Sequence, residues 1–235
     1  MDYLKPLVAA FENSRNPENA APMKRYMRDQ FEFLGIKAGP RRELLAAFLA
    51  KHGPPKENQL HAVARDLWQL VHREYQYAAV DILVRRRRHL KPDAIPLCQH
   101  LITTKSWWDT VDGIAGSVVG HLFQEYPQDR LAWISEWRSS DDMWLRRTAI
   151  IFQLKYGDKT DWELLADLAR ENADSKEFFI QKAIGWALRQ YSKVEPQRVS
   201  QFIDATELPA LSKREGMKWI TSRSRSKTRP SGGSR

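Results

Sequence analysis

Cysteine is almost absent from this sequence: Cys98 stands alone among 235 residues. A single thiol excludes an internal disulfide and an iron–sulfur cluster, which needs several thiolates. No stretch approaches the ~18 consecutive apolar residues of a membrane span. The start, Met1-Asp2-Tyr3-Leu4-Lys5, carries an acid and only a brief apolar run, unlike a secretory segment. A Gly-Lys-Ser/Thr phosphate loop, a strand-borne glycine fingerprint and a nucleophile elbow are all missing, which argues against nucleotide-driven chemistry. The six histidines, His52, His61, His72, His89, His100 and His121, show no metal-type spacing with acids, so neither metal nor cofactor is expected. Also missing is any period-two alternation long enough for a strand. What remains is a soluble, all-α protein of a reducing compartment, expected to be cytoplasmic and monomeric.

The formal charge is +9. Five of those charges, Arg223, Arg225, Lys227, Arg229 and Arg235, lie in a tail without acids, leaving +4 on residues 1–220. A basic body and tail fit an anionic partner, nucleic acid being the commonest polymer of that kind, although such a tail also serves as a solubilising end. Residues 221–235 have too little apolar content to bury and are expected to be disordered, beyond a single domain over 1–220.

Apolar spacing of three and four predicts a first helix over 2–13, a second over 17–33 and a third from Pro40 to the stop at Gly53-Pro54-Pro55. Helix pairs then begin near Lys56, Pro92, Pro127, Thr160 and Glu195, 33 to 36 residues apart. Each second helix contains a small residue followed by an apolar one: Ala79-Val80, Gly113-Ile114, Ala149-Ile150, Ala183-Ile184 and Gly216-Met217. The small position lets neighbouring helices approach closely, which predicts a curved solenoid of antiparallel helix pairs. The residues just before it, including Asp112, Arg147, Lys182 and Arg214, are mostly polar and should line a concave face as neighbours.

One stretch looks chemical. In Ser106-Trp107-Trp108-Asp109-Thr110-Val111-Asp112, Trp108 and Asp112 are four apart and project from one side of a helix. An aromatic face and a carboxylate both stabilise a developing cation. Taken alone, Asp112 is also an ordinary solvated carboxylate and Trp107 a core residue. Trp186, three residues after Ala183, is expected to turn toward Trp108 and Asp112. The run Arg85-Arg86-Arg87-Arg88-His89 reads as a solvated helix end or as a phosphate contact.

Longer strings carry a resemblance. Asn16-Pro17-Glu18, Met23-Lys24-Arg25-Tyr26-Met27, Phe33-Leu34-Gly35-Ile36, Lys105-Ser106-Trp107-Trp108-Asp109, Gln181-Lys182-Ala183-Ile184-Gly185-Trp186 and Leu211-Ser212-Lys213-Arg214-Glu215 lie along residues 1–220. Together they make the chain similar to the AlkD-type alkylpurine DNA glycosylases, an all-helical family of HEAT-like repeats. The resemblance implies removal of cationic alkylated purines, such as 3-methyladenine and 7-methylguanine, from double-stranded DNA. It implies Asp112, Trp108 and Trp186 as catalytic residues, and Tyr26 and Arg147 as DNA contacts, with Arg189 on the same basic surface; Lys182 and Arg214, at the concave-face positions of the repeat, are expected to bind DNA beside them. Lys37 departs from the uncharged polar residue seen in that family and alters the contacts expected there. The rival readings are a catalytically silent DNA-binding scaffold and a protein-binding adaptor.

Overall fold

A computed structural model describes residues 2–227, with side chains as far as Arg223. Its regular elements are all helical, and no strand occurs among the described residues. They cluster into two compact units, one up to Leu101 and one from Ile102, a division the single-domain reading did not draw.

The first unit contains α1 (Lys5–Asn13), α2 (Pro17–Tyr26), α3 (Ala38–His52), α4 (Leu60–Gln69) and α5 (Arg73–Arg86), and the boundary falls within α6 (Ile95–Thr103). Asn16 starts α2 by accepting a bond from the Asn19 amide at 3.0 Å. The expected helix over 17–33 ends at Tyr26. Arg28 (φ 55) and Asp29 (φ 58) turn left-handed, which stops the helix, and the chain continues extended. Glu74 captures that extended segment. Fully buried, it accepts bonds from the amides of Leu34 (3.0 Å), Gly35 (2.8 Å) and Ile36 (3.0 Å). Three donors compensate the cost of burying the carboxylate. Gly35 is required there: at φ +89 its absent Cβ would lie 1.9 Å from the Asn16 carbonyl oxygen.

The second unit begins with α7 (Trp108–Ile114), which passes without a break through a π-helical turn (Ala115–Val119) into α8 (Gly120–Glu125). α9 (Pro127–Arg138), α10 (Met143–Ile151), α11 (Trp162–Glu171), α12 (Phe178–Tyr191), α13 (Pro196–Ala205) and α14 (Ala210–Lys227) follow. The pair starts expected at Pro127, Thr160 and Glu195 fall within two residues of the observed ones. The second helices form a ladder: α10 packs on α7 and α12, and α12 packs on α14. Ala149, Ile150, Ala183 and Ile184 are all buried, in keeping with the small-apolar register.

Three glycines set how closely the helices meet. A Cβ on Gly120 would stand 2.4 Å from the Phe152 carbonyl, and one on Gly185 would stand 2.5 Å from the Glu215 Cβ. One on Gly216 would lie 2.8 Å from Ile203. Only Gly216 is among the small positions of the repeat; Gly120 and Gly185 were not singled out. α14 continues to Lys227, so residues 221–227 of the expected disordered tail are helical, while 228–235 lie outside the described residues.

Candidate active site

The site is built from the beginnings of α7 and α10 and the length of α12. Lys105 (φ 49) reverses the chain after α6, and Ser106 donates its hydroxyl to the Ile102 carbonyl at 2.6 Å. Trp107 then precedes α7 in extended conformation. Its ring meets Trp144 (5.9 Å between centroids) and Phe179 (5.1 Å), which meet each other at 5.0 Å. This cluster joins the starts of α7, α10 and α12, which is the structural role expected for Trp107. Asp109 accepts a bond from the Thr110 amide at 3.0 Å.

Trp108 is the first residue of α7, and Asp112 lies one turn later on the same side. Both are half-buried. Arg147 from α10 meets Asp112 side-on: Nε donates to Oδ1 and Nη2 donates to Oδ2, both at 2.8 Å. Its Nη1 donates to the Phe179 carbonyl of α12 at 2.5 Å, so each nitrogen of the guanidinium is engaged. Arg147 is only 4% exposed, whereas the Asp112 side chain retains 17%. Burial raises the carboxyl above the usual aspartate range, and Arg147 opposes that rise by hydrogen bond and charge.

For Arg147, the expected DNA contact, the structure shows an internal partner. A planar fork fits phosphate and carboxylate alike. The repeat interval of 35 residues between positions 112 and 147 delivers a carboxylate to it from within the protein. The reading that placed Asp112 and Arg147 side by side is thus met, but as an ion pair rather than as two separate contacts.

The other expected neighbours divide differently. On α12, Lys182, Trp186 and Arg189 share one face at intervals of four and three. Lys182 and Arg189 each reach Glu215 of α14 at 3.0 Å, and Lys218 joins them at 2.5 Å. Arg214 does not join this group; it is exposed, and its neighbour Glu215 occupies the contact position. Burial pushes the Glu215 carboxyl up, but hydrogen bonds from Lys218 and Lys182 and their charges outweigh it, pulling the value down to about 2. Glu215 escaped the sequence reading as a functional residue, although its place in the small-residue register was visible.

Tyr26 and Lys37 belong to the first unit. Tyr26 ends α2 and is 70% exposed. Lys37 precedes α3, is exposed, and lines a cavity of about 430 Å³ with Asn16, Gly35 and Pro40. Among the described residues, no three or more of His, Cys, Asp and Glu gather as they would to hold a metal ion, and no helix is long and apolar enough to cross a membrane.

A protein-family model described as DNA alkylation repair enzyme matches residues 7–220. A solved structure described as "Predicted DNA alkylation repair enzyme from Enterococcus faecalis" is similar with a TM-score of 0.82 and 33% sequence identity, covering 88% of this chain and 96% of that one. No curated protein matches the sequence.

Proposed function

The chain belongs to the DNA alkylation repair enzyme family, and on that premise we propose that it hydrolyses the N-glycosidic bond of cationic alkylated purines, such as 3-methyladenine and 7-methylguanine, in double-stranded DNA. The observation that carries this reading is the Asp112 carboxylate, held by Arg147 at two points and one turn from Trp108.

Glycosidases acting on sugars use two carboxyl groups, because the departing oxygen must be protonated while the sugar cation is stabilised or attacked. An alkylated purine already carries its positive charge. When the bond from C1′ to the base nitrogen breaks, the electron pair goes to that nitrogen and the base leaves neutral. No general acid is needed. Asp112 stabilises the oxocarbenium-like sugar, orients a water toward C1′ and takes the proton as the new bond to oxygen forms. A raised pKa makes it a better acceptor for that proton. Arg147 fixes the direction in which the remaining carboxylate lone pairs point.

Trp108 and Trp186 provide the aromatic part. A desolvated indole face contributes about 2 kcal/mol to a cation, roughly thirtyfold in rate. Such gains are sufficient for a labile cationic lesion and too small for a neutral one such as uracil. Lys182 and Arg189 flank Trp186 on α12 with partly exposed side chains, and in this reading they meet phosphates. The enzyme works as a monomer without metal or cofactor.

The test is release of free 7-methylguanine from methylated duplex by the intact protein and by Asp112→Asn. Loss in the variant alone is the expected outcome. Equal release by both removes Asp112 from the mechanism, and no release by the intact protein favours the silent DNA-binding scaffold.

A further inference from the structure

Glu215 is a heavily engaged carboxylate of the second unit. The residue is 4% exposed, and three cations converge on it: Lys182 and Arg189 from α12 and Lys218 one turn along α14. All three cationic side chains keep solvent access, at 37%, 31% and 50%. The carboxylate is therefore inside and its partners are at the rim. A single buried acid among three partly exposed cations leaves a net positive cluster, which is an arrangement for meeting an external anion.

The backbone forces this placement. Gly185 brings α12 against α14 so closely that its absent Cβ would fall 2.5 Å from the Glu215 Cβ and 2.9 Å from the Ser212 carbonyl. Ser212 closes the same seam by donating to the Gln181 carbonyl at 2.9 Å. Glu215 consequently rises beside Gly185, immediately before Trp186, with one carboxylate oxygen for Lys182 and the other for Arg189. Lys182 precedes Trp186 by one turn and Arg189 follows it by nearly one, so the acid ties together the cations on either side of the indole.

We propose that Glu215 is a positioning residue: its carboxylate holds Lys182 and Arg189 on the two sides of Trp186, and so fixes the register in which DNA phosphates meet that indole. The proposal rests on the reading of Trp186 as part of a DNA-repair site. Without the carboxylate the same cations are more strongly attractive to any phosphate but no longer aligned. A neutral replacement should therefore tighten binding to undamaged DNA while slowing excision, whereas simple damage to the fold weakens both. Glu215→Gln keeps the side-chain size beside Gly185, and the three cations it releases are already partly solvated. Glu215→Asp keeps the charge but withdraws it by one methylene.

Binding of undamaged duplex is measured across a salt series, and kcat and KM for 7-methylguanine release are measured separately, with thermal melting as control. For Glu215→Gln the slope of log K against log salt steepens by about 0.9, the value of one additional phosphate contact, and kcat falls about tenfold or more. For Glu215→Asp the slope stays as in the intact protein and kcat falls. The proposal is overturned if Glu215→Gln leaves the slope unchanged or weakens binding, or if Glu215→Asp excises at the intact rate. Should Glu215→Gln not fold, the Asp variant decides. If the intact protein releases no base, the proposed function fails, and the salt series alone tests Glu215.

Discussion

Asp112 and Arg147 form a pair whose two members cannot be removed independently. Their two hydrogen bonds, both 2.8 Å, involve charge on each side. Bonds of that kind contribute about 1.5–3 kcal/mol each. The Asp112 side chain is 17% exposed, so solvent screens part of the sum, and the coupling between the two residues should be about 2–4 kcal/mol. Asp112→Asn leaves an almost fully buried guanidinium without its counter-charge, and Arg147→Met leaves a half-buried carboxylate in the same position. Each single variant is expected to lose about 3 kcal/mol, lowering the melting temperature by roughly 6–12 °C. The double variant places an amide beside a thioether and should regain about 2–4 kcal/mol of the roughly 6 kcal/mol to which the two single losses would add.

Activity should not recover with stability. Asp112→Asn and the double variant lack the carboxylate, while Arg147→Met retains it without its orientation and should lose about a hundredfold in rate. The assay is a double-mutant cycle by denaturant unfolding, with 7-methylguanine release measured on the same preparations. Stability losses that add to within about 0.5 kcal/mol in the double variant would refute the coupling. Recovery of excision in the double variant would refute the assignment of Asp112 to the chemistry.

Two further predictions concern pH and the helix contacts. Because burial holds the Asp112 carboxyl above the ordinary value of 3.8, excision should be full near neutrality and fall away, as the pH drops, earlier than for an exposed aspartate. A pH–rate profile for the intact protein whose acid limb sits at or below 3.8 would contradict the burial argument. Gly35→Ala, at positive φ and with its Cβ 1.9 Å from a carbonyl, should cost about 3 kcal/mol or more, whereas Gly39→Ala meets nothing within 4 Å in α3 and should stabilise by about 0.5 kcal/mol. Thermal melting of the two variants checks the contrast.

The sequence by itself determined the helical class and the spacing of the helix pairs from Pro127 onward. Both follow from apolar periodicity, a local property that each segment carries wherever it packs. It also singled out Trp108 and Asp112, because residues four apart on a helix share a side in any tertiary setting. The end of α2 was not legible: Phe33, Leu34 and Ile36 are apolar at spacings a helix also shows, and only Glu74, 38 to 40 residues away, decides that they run extended. Tertiary structure likewise decided which charge meets which. Arg147 could have faced a phosphate, but α7 and α10 stack so that Asp112 reaches it first. Lys182 and Arg189 are not bare cations, because Gly185 lets α14 bring Glu215 between them. Charge pairing depends on distances of a few ångströms across helices, and periodicity specifies the face of a helix without specifying what stands opposite it.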